Sequence, residues 1–456
     1  MPGSALQRQL IHRAAAFYVI EPRAPGQGWR PDPSRYTLVS YPRAQARQVP
    51  RAGDDGRGSH PTRRPVNRPG VPLPLLASLA LVAAPALRAR AADGACGLSG
   101  VGRIVAVGDV HGAHDNFLAV LRMAGLIDAK ERWSGGNAHL VQTGDVLDRG
   151  PHSRKALDLL MRLEKEARKA GGRVHALLGN HEAMNMQGDL RFVSAEEYEA
   201  FRTRDSEALR ERSYQATLAE ARERGRAAGE AFDEKAFREG FLARTPLGFI
   251  EHRRAFGPQG EYGRWLRRHD TVAVINGIAF VHGGLSPAVA PLGCAAINDG
   301  VRRELAEGPK PAPPAPRDGL ATHAEGPLWY RGLAQADEAT FGPSLDAILP
   351  AFGVRTVVVA HTVTGTGRIE SRFAGRVVMI DAGMLPAFGG HLAALEIGPE
   401  GMTALYPDGR VKLAAGPIQW ADPSNPWALL EPVPCSTREA AIPSAAIRCS
   451  NAPQWP

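Results

Sequence analysis

The most regular feature of the chain is a series of short apolar runs, each followed by a polar residue that in most cases lies beside glycine. Such runs occur at Arg103–Val107, at residues 138–142 and at Arg173–Leu178, and their length and β-branched content predict buried strands. Between the second and third runs, apolar side chains recur at helical spacing over Ser153–Ala170. The pattern predicts that strands and helices alternate in this part of the chain.

The same pattern returns in the second half of the chain. Apolar runs at Asp270–Ile275, Ile278–Val281, Gly353–Ala360 and Val377–Asp381 predict four more strands, and residues 391–406 alternate as a closing hairpin. Two sets of strands with flanking helices indicate one α/β domain over residues 100–408, layered as an α-β-β-α sandwich of two mixed sheets.

Three segments depart from this rhythm. Residues 186–268 are dense in Glu and Arg with scattered aromatics, which predicts a helical insertion that caps the site or is a helical excursion without a role. Residues 306–318 are proline-rich and predict a flexible loop, and residues 409–456 predict an irregular tail.

The positive charge of the chain lies at its beginning. Residues 1–70 contain twelve Arg and no Lys and carry the whole net charge of +8, so the remainder is neutral. Basicity therefore does not indicate a nucleic-acid partner. Residues 1–70 predict a disordered leader, or an extension upstream of the true start.

Residues 71–95 contain an uncharged apolar run with Arg-rich flanks and small residues after it. This pattern predicts a secretory signal peptide, and an uncleaved membrane anchor is the alternative. The expected location is the periplasm or the exterior, with an organelle as the alternative because the leader is Arg-rich and acid-poor. Oligomeric state is not indicated.

The four cysteines, Cys96, Cys294, Cys435 and Cys449, contain no Cys-x-x-Cys pair, which argues against a zinc knuckle. A disulfide between Cys435 and Cys449 would leave Cys96 with Cys294. Four reduced thiols are an equally open interpretation.

The polar residues at the strand ends are carboxylates, imidazoles and one amide. This mixed donor set suits Mn, Fe or Zn better than Mg or Ca alone, and Asp145 is the natural bridge for two divalent ions roughly 3.5–4 Å apart. A single histidine at a strand end is usually structural, but a whole set of such residues indicates a metal centre. The candidate ligands are Asp109, His111, Asp145, Asn180, His282 and His361. Histidines predicted to be structural are His114, His252, His269 and His391.

The segments Gly108–Gly112, Gly144–Gly150 and Gly179–Glu182 resemble the signature of the phosphoprotein phosphatases, a family of calcineurin-like metallophosphoesterases. Residues 176–185 and Pro327–Gly332 are similar to the Shewanella-like protein phosphatases. The resemblance covers roughly residues 100–400. It implies the metallophosphoesterase sandwich and a dinuclear hydrolase that cleaves phosphomonoesters by in-line attack of a metal-bridging hydroxide, without a Cys or Ser nucleophile.

Carried onto this sequence, the resemblance implies that Asp109, His111 and the bridging Asp145 bind one metal. Asn180, His282 and His361 would complete the second. It further implies that His181 is the general acid, oriented by Asp148, and that Arg149 and Arg331 hold the phosphate. Glu182 is expected to support the turn, and Asp381 is expected to be a strand-end turn residue.

Two other functions compete with a phosphatase acting on phosphoserine, phosphothreonine or phosphotyrosine in proteins. One is a small-molecule phosphoesterase such as a diadenosine-tetraphosphate or nucleotide hydrolase. The other is a non-catalytic binding module, which the complete set of ligands, acid and arginines argues against.

Overall fold

The computed structural model describes residues 96–306 and 319–413. The predicted leader and signal segment, nearly all of the proline-rich segment, and most of the predicted tail, including Cys435 and Cys449, lie outside these ranges. Within them, the strands are β1 (Gly97–Leu98), β2 (Ile104–Val107), β3 (His139–Gln142), β4 (Arg173–Ala176), β5 (Val272–Ile275), β6 (Ile278–Val281), β7 (Thr356–Val359), β8 (Glu370–Arg372), β9 (Val377–Met379), β10 (Ala394–Gly398), β11 (Gly401–Tyr406) and β12 (Gly409–Lys412).

The strands form two mixed sheets of six strands each, in the orders β1-β5-β6-β7-β9-β8 and β12-β11-β10-β2-β3-β4. In the second sheet β2, β3 and β4 are parallel, with Val105 opposite Leu140 and Leu140 opposite Val174. In the first sheet β6, β7 and β9 are parallel. These parallel strands bring their carboxyl ends together at one edge of each sheet.

Helices connect the strands and surround the sheets. They are α1 (His114–Met123), α2 (Ser153–Lys169), α3 (Asn180–Gln187), α4 (Ala195–Ala200), α5 (Ser206–Ala228), α6 (Glu234–Arg244), α7 (Phe249–Phe256), α8 (Glu261–Leu266), α9 (Gly293–Ala306), α10 (Gly332–Gln335) and α11 (Glu338–Ala351).

The period of two along the strands divides the apolar side chains between separate cores. In β2, Val105 and Val107 pack in the core that contains α1 and α2, whereas Ile104 and Ala106 pack in the core between the sheets. A third core joins the first sheet to α9 and α11. The predicted α-β-β-α sandwich is therefore confirmed.

The insertion has two parts that differ in packing. Helices α4, α7 and α8 lie against the main domain, where Phe256, Tyr262 and Trp265 belong to the core of the second sheet. Helices α5 and α6, here called the distal hairpin, have a small core of their own around Tyr214, Leu218 and Phe241. Helices α4, α7 and α8, here called the near part of the insertion, are thus built into the domain, whereas the distal hairpin is not.

The sheets extend slightly beyond the predicted domain limits of 100 and 408, because β1 pairs with β5 and β12 pairs with β11. A disulfide joins Cys96, just before β1, to Cys294 in α9, with the Cα atoms 6.0 Å apart. No helix within the described ranges has the length and apolar character needed to cross a membrane.

Candidate functional site

All six predicted metal ligands lie together in the segments that directly follow β2, β3, β4, β6 and β7, here called the site loops. Each of these side chains is at least nine-tenths buried. The sequence dictates this arrangement because each polar residue follows a buried strand, and ligands in α/β folds bind at the carboxyl ends of such strands.

The site loops contain most of the unusual backbone conformations of the described chain. Five non-glycine residues here have positive φ, a region that side chains with a Cβ rarely adopt. Such conformations persist where the surrounding structure fixes them, and they cluster at functional sites. These residues are His111 (47°), Asp145 (53°), Asp148 (71°), Arg149 (70°) and His361 (64°).

Glycine lets two site loops pack backbone against backbone. A Cβ added to Gly144 would lie 2.4 Å from the Gly179 nitrogen, and one added to Gly179 would lie 2.3 Å from Asp145 Oδ1. Neither position has room for a larger residue, so the loops after β3 and β4 can approach closely only because both carry glycine.

Asp109, His111 and Asp145 form the first group of candidate ligands. His111 Nε2 lies 3.8 Å from Asp109 Oδ2 and 3.7 Å from Asp145 Oδ2. The other ring nitrogen, Nδ1, is 2.9 Å from the Leu147 carbonyl and donates to it, which leaves Nε2 as an acceptor. Burial lowers the pKa of His111 to about 3, so the ring is neutral, as a metal ligand must be.

The second group converges on His282. Its Nε2 lies 3.0 Å from Asn180 Oδ1, 3.1 Å from His361 Nδ1 and 3.2 Å from Asp145 Oδ2. One ring nitrogen cannot satisfy three polar neighbours with a single proton. Several oxygen and nitrogen atoms that point at one position in this way are the arrangement that binds a metal ion.

Three buried carboxylates give the site a negative charge that bound cations would balance. Asp109, Asp145 and Asp381 are all buried, and Asp381 shares a side-chain hydrogen bond with Asp109. Burial and the nearby Asp381 and Asp145 carboxylates raise the pKa of Asp109 well above its ordinary value. Burial also raises the pKa of Asp381 to about 6. Buried carboxylates that are so close to each other are stabilised by bound metal, so the residues fit divalent ions.

His181 and Asp148 form a hydrogen-bonded pair beside this cluster. Asp148 Oδ2 accepts from His181 Nδ1 at 2.6 Å, and Asp148 Oδ1 accepts from Asn185 Nδ2 at 2.8 Å. His181 Nε2 therefore faces the cluster, 3.8 Å from Asp145 Oδ2. Burial alone would lower the pKa of His181, but Asp145 and the bond to Asp148 raise it above its ordinary value. The ring can therefore carry a proton for acid catalysis.

Two arginines flank the cluster from different halves of the domain. Arg149 is exposed, and its guanidinium lies 3.4 Å from His181 Nε2. Arg331 is half-buried and donates to the His361 carbonyl at 2.7 Å and to Thr362 Oγ1 at 2.9 Å. Both guanidinium groups border the cluster where an anion would bind.

Glu182 supports the turn, as predicted. One of its carboxylate oxygens accepts from the backbone nitrogens of Gly179 and Asp145 at 2.8 Å each. The other accepts from Val146 at 2.9 Å and Leu147 at 3.3 Å. This single side chain fixes the backbone on both sides of the Asp145 carboxylate.

Comparison with known proteins bears directly on this site. Residues 102–365 match the model of the family described as calcineurin-like phosphoesterase. The chain belongs to the calcineurin-like phosphoesterases. It is a metal-dependent hydrolase, and its similarity to Shewanella-like protein phosphatases agrees with the resemblance of its motifs.

Individual relatives of this phosphoesterase are similar over most of the domain. Shewanella-like protein phosphatase 2 of Arabidopsis thaliana is 33% identical over 62% of this chain and 71% of that protein. An uncharacterized protein of Schizosaccharomyces pombe is 34% identical over 64% of this chain and 76% of that protein. Among solved structures, the chain matches the cold-active protein-tyrosine phosphatase of a psychrophilic Shewanella with a TM-score of 0.51 and 28% sequence identity. The match covers 69% of this chain and 81% of that chain.

Sequence reasoning did not assign Asn185 or Glu197 a role beside the site, and it predicted only a turn role for Asp381. Asp381 accepts from the Gly383 nitrogen at 3.1 Å, as a turn residue should, but it also contacts Asp109. Asn185 holds Asp148. Glu197, from α4, is buried and accepts from the backbone nitrogen of Ser153. Only Asp381 carried a usable signal, since it follows a strand and precedes a glycine two residues later.

Proposed function

We propose that this phosphoesterase is a protein phosphatase whose site loops hold two divalent ions. Asp109, His111 and Asp145 would bind one ion, and Asp145 would share the second with Asn180, His282 and His361. Mn, Fe or Zn suits these mixed donors. When bound, such ions neutralise phosphate oxygens and lower the pKa of water.

The Asp148–His181 pair supports this proposal most directly, because the Nε2 atom of His181 faces the metal-ligand cluster. Asp148 fixes the ring by accepting from Nδ1, so a proton on Nε2 faces the space beside Asp145. His181 would deliver this proton to the leaving oxygen of the ester. No serine or cysteine nucleophile is needed for direct attack of water on the phosphorus.

Arg149 and Arg331 would hold the phosphate. A guanidinium group donates two parallel hydrogen bonds to phosphate oxygens and stabilises the charge that develops during transfer. Because Arg331 is itself held by the His361 carbonyl, its position depends on the loop that supplies a metal ligand.

The substrate class is supported by the relatives. The plant relative is named as a protein phosphatase, and the Shewanella structure is that of a protein-tyrosine phosphatase. We therefore place phosphotyrosine in proteins first among the substrates, ahead of phosphoserine, phosphothreonine and small phosphate esters.

The test compares kcat/KM for matched phosphotyrosine, phosphoserine and phosphothreonine peptides with that for diadenosine tetraphosphate. The full chain is loaded with Mn²⁺, and His181→Asn is the control for contaminating phosphatases. We expect a phosphopeptide to lead by at least about tenfold, a preference of roughly 1.4 kcal/mol in the transition state. A lead for diadenosine tetraphosphate would reject the protein-phosphatase assignment.

We also propose that the protein is exported to the periplasm or the exterior, with an organelle as the alternative. The Cys96–Cys294 disulfide supports this, because such bonds persist in oxidising compartments. Fractionation of cells that express the full chain, with mass spectrometry of the mature amino terminus, tests it. An uncleaved protein in the cytosol with both thiols reduced would reject the proposal.

A further inference from the structure

Two aromatic rings stand at the rim of the site without a role in the chemistry described above. Phe192 lies between α3 and α4, at the start of the insertion, and Phe388 ends a 3₁₀ turn at Pro386–Phe388. Both are half-buried. They come from segments almost 200 residues apart in sequence, so the tertiary fold alone brings them to the same place.

Both rings contact the groups assigned to phosphate binding and proton transfer. The Arg149 guanidinium carbon is 4.7 Å from the Phe192 ring centre and 5.3 Å from the Phe388 ring centre. Phe192 also packs against the His181 ring at 5.1 Å, and Phe388 against the His111 ring at 5.8 Å. The two phenylalanines thus both flank the Arg149 guanidinium, and each contacts a histidine of the site.

The backbone holds both rings in place. The Phe192 carbonyl accepts from the Arg149 nitrogen at 2.8 Å, which ties the insertion to a site loop. The Phe388 nitrogen donates to the Leu385 carbonyl at 2.8 Å, and a Cβ added to Gly383 would lie 2.4 Å from the Phe388 carbonyl oxygen. The same Cβ would lie 3.2 Å from Val363 Cγ1, so this exposed apolar side chain is close to Phe388.

We propose that Phe192 and Phe388 are specificity-determining residues that pack against the aromatic ring of phosphotyrosine while Arg149 binds its phosphate. Both ring centres lie within 5.3 Å of the guanidinium carbon of Arg149, which would hold the phosphate. A ring attached directly to that phosphate comes within reach of their edges, at the centroid distances of about 4.5–7 Å usual for aromatic pairs. This inference rests on the proposed function.

The rings favour phosphotyrosine because of where each substrate carries its phosphate. In phosphotyrosine the phosphate is attached to the ring, so a phosphate beside Arg149 brings the ring next to the phenylalanines that flank this guanidinium. In phosphoserine the phosphate is attached through the Cβ methylene, which offers them far less apolar surface than a ring. Aromatic pairs contribute roughly two- to tenfold each in affinity.

The experiment measures the ratio of kcat/KM for matched phosphotyrosine and phosphoserine peptides in the full chain loaded with Mn²⁺. We expect Phe192→Leu and Phe388→Leu each to lower this ratio by about two- to tenfold, and the double variant by more. Phe192→Tyr and Phe388→Tyr keep a ring and should keep the ratio within about twofold. Phe232→Leu, which removes a ring that packs on Phe237 in the distal hairpin, is the matched control.

Inhibition by inorganic phosphate separates substrate packing from an effect on Arg149. If the rings only position the guanidinium, the leucine variants will weaken phosphate inhibition and lower both peptide rates equally, which would overturn the inference. An unchanged ratio would also overturn it, yet leave a protein phosphatase. A wild-type enzyme that hydrolyses only diadenosine tetraphosphate would instead reject the proposed function itself.

Discussion

The site loops and the helical insertion differ in how tightly the fold fixes them. In the site loops, buried side chains, positive φ angles and contacts between backbones leave no space for a larger residue. The distal hairpin of the insertion is mostly exposed and has only a small core around Tyr214, Leu218 and Phe241. Helices α4, α7 and α8 are intermediate. Helices α7 and α8 contribute to the main core, and Glu197 of α4 accepts from the backbone nitrogen of Ser153.

Catalytic activity should therefore be sensitive to small changes in the site loops and tolerant of changes in the distal hairpin. A site loop loses its catalytic geometry when one atom changes, because many simultaneous contacts fix that geometry. An exposed helical hairpin tolerates much larger changes because few contacts with the domain are lost. Variants should therefore have their largest effects in the site loops and their smallest in the distal hairpin.

The largest effect is expected for Asp145→Asn. The change removes the charge of the carboxylate shared by the two groups of ligands, so kcat/KM should fall by at least about 10³-fold. Bound metal, measured by inductively coupled plasma mass spectrometry, should fall with it. Asp299→Asn, at an exposed position that pairs with Arg302, is the control and should retain both. Wild-type metal content and turnover in the Asp145 variant would contradict the bridging role.

A somewhat smaller loss is expected for His181→Asn, about 10²- to 10⁴-fold in kcat, without loss of metal. Because this residue would protonate the leaving oxygen, the loss should be greatest for phosphoserine peptides, whose alkoxide leaves poorly. It should be smallest for an aryl phosphate with an acidic phenol. Equal losses on both esters would argue against a general acid, and full activity would exclude it.

Glu197→Gln tests the near part of the insertion. Burial raises the pKa of Glu197 to about 7, although hydrogen bonds to Ser153 lower this pKa, and the nearby Asp148 carboxylate raises it further. The folded state therefore holds this proton more tightly than the unfolded chain. The free energy of unfolding should fall as pH rises from about 4.5 to about 7, by up to roughly 3 kcal/mol from this group.

The glutamine variant should lack this part of the pH dependence and be relatively more stable above pH 7. Chemical denaturation at several pH values measures it, and the exposed neighbour Glu196→Gln is the matched control. Identical pH profiles for the wild type and the Glu197 variant would show that the group titrates normally.

The smallest effect is expected for shortening the distal hairpin. Arg238 lies 3.4 Å from Glu211, so residues 212–237 can be replaced by a short turn between adjacent points of α5 and α6. Turnover of a small aryl phosphate should stay within about twofold, since the near helices and Phe192 remain. A loss of tenfold or more would show that the hairpin acts on the site as the cap that the sequence suggested.

Much of the fold was predictable from local patterns, and the exceptions have physical reasons. The strands that flank the site are short apolar runs with clear ends, so β2, β3, β6 and β7 were predicted close to their observed bounds. Strand β8 contains only Glu370, Ser371 and Arg372 and pairs at a sheet edge, so it has no hydrophobic signal. Helix α11 contains Pro343 and Pro350, which obscure its pattern.

The chemistry at the strand ends could be predicted from the sequence because each motif is local: a buried strand is followed within a few residues by a polar side chain, usually beside glycine. Which distant groups surround that chemistry depends on tertiary packing. Asp381 contacts Asp109, Cys96 pairs with Cys294, and Phe192 faces the same guanidinium as Phe388. These contacts depend on how layers pack across hundreds of residues, and packing leaves no periodic trace in the chain.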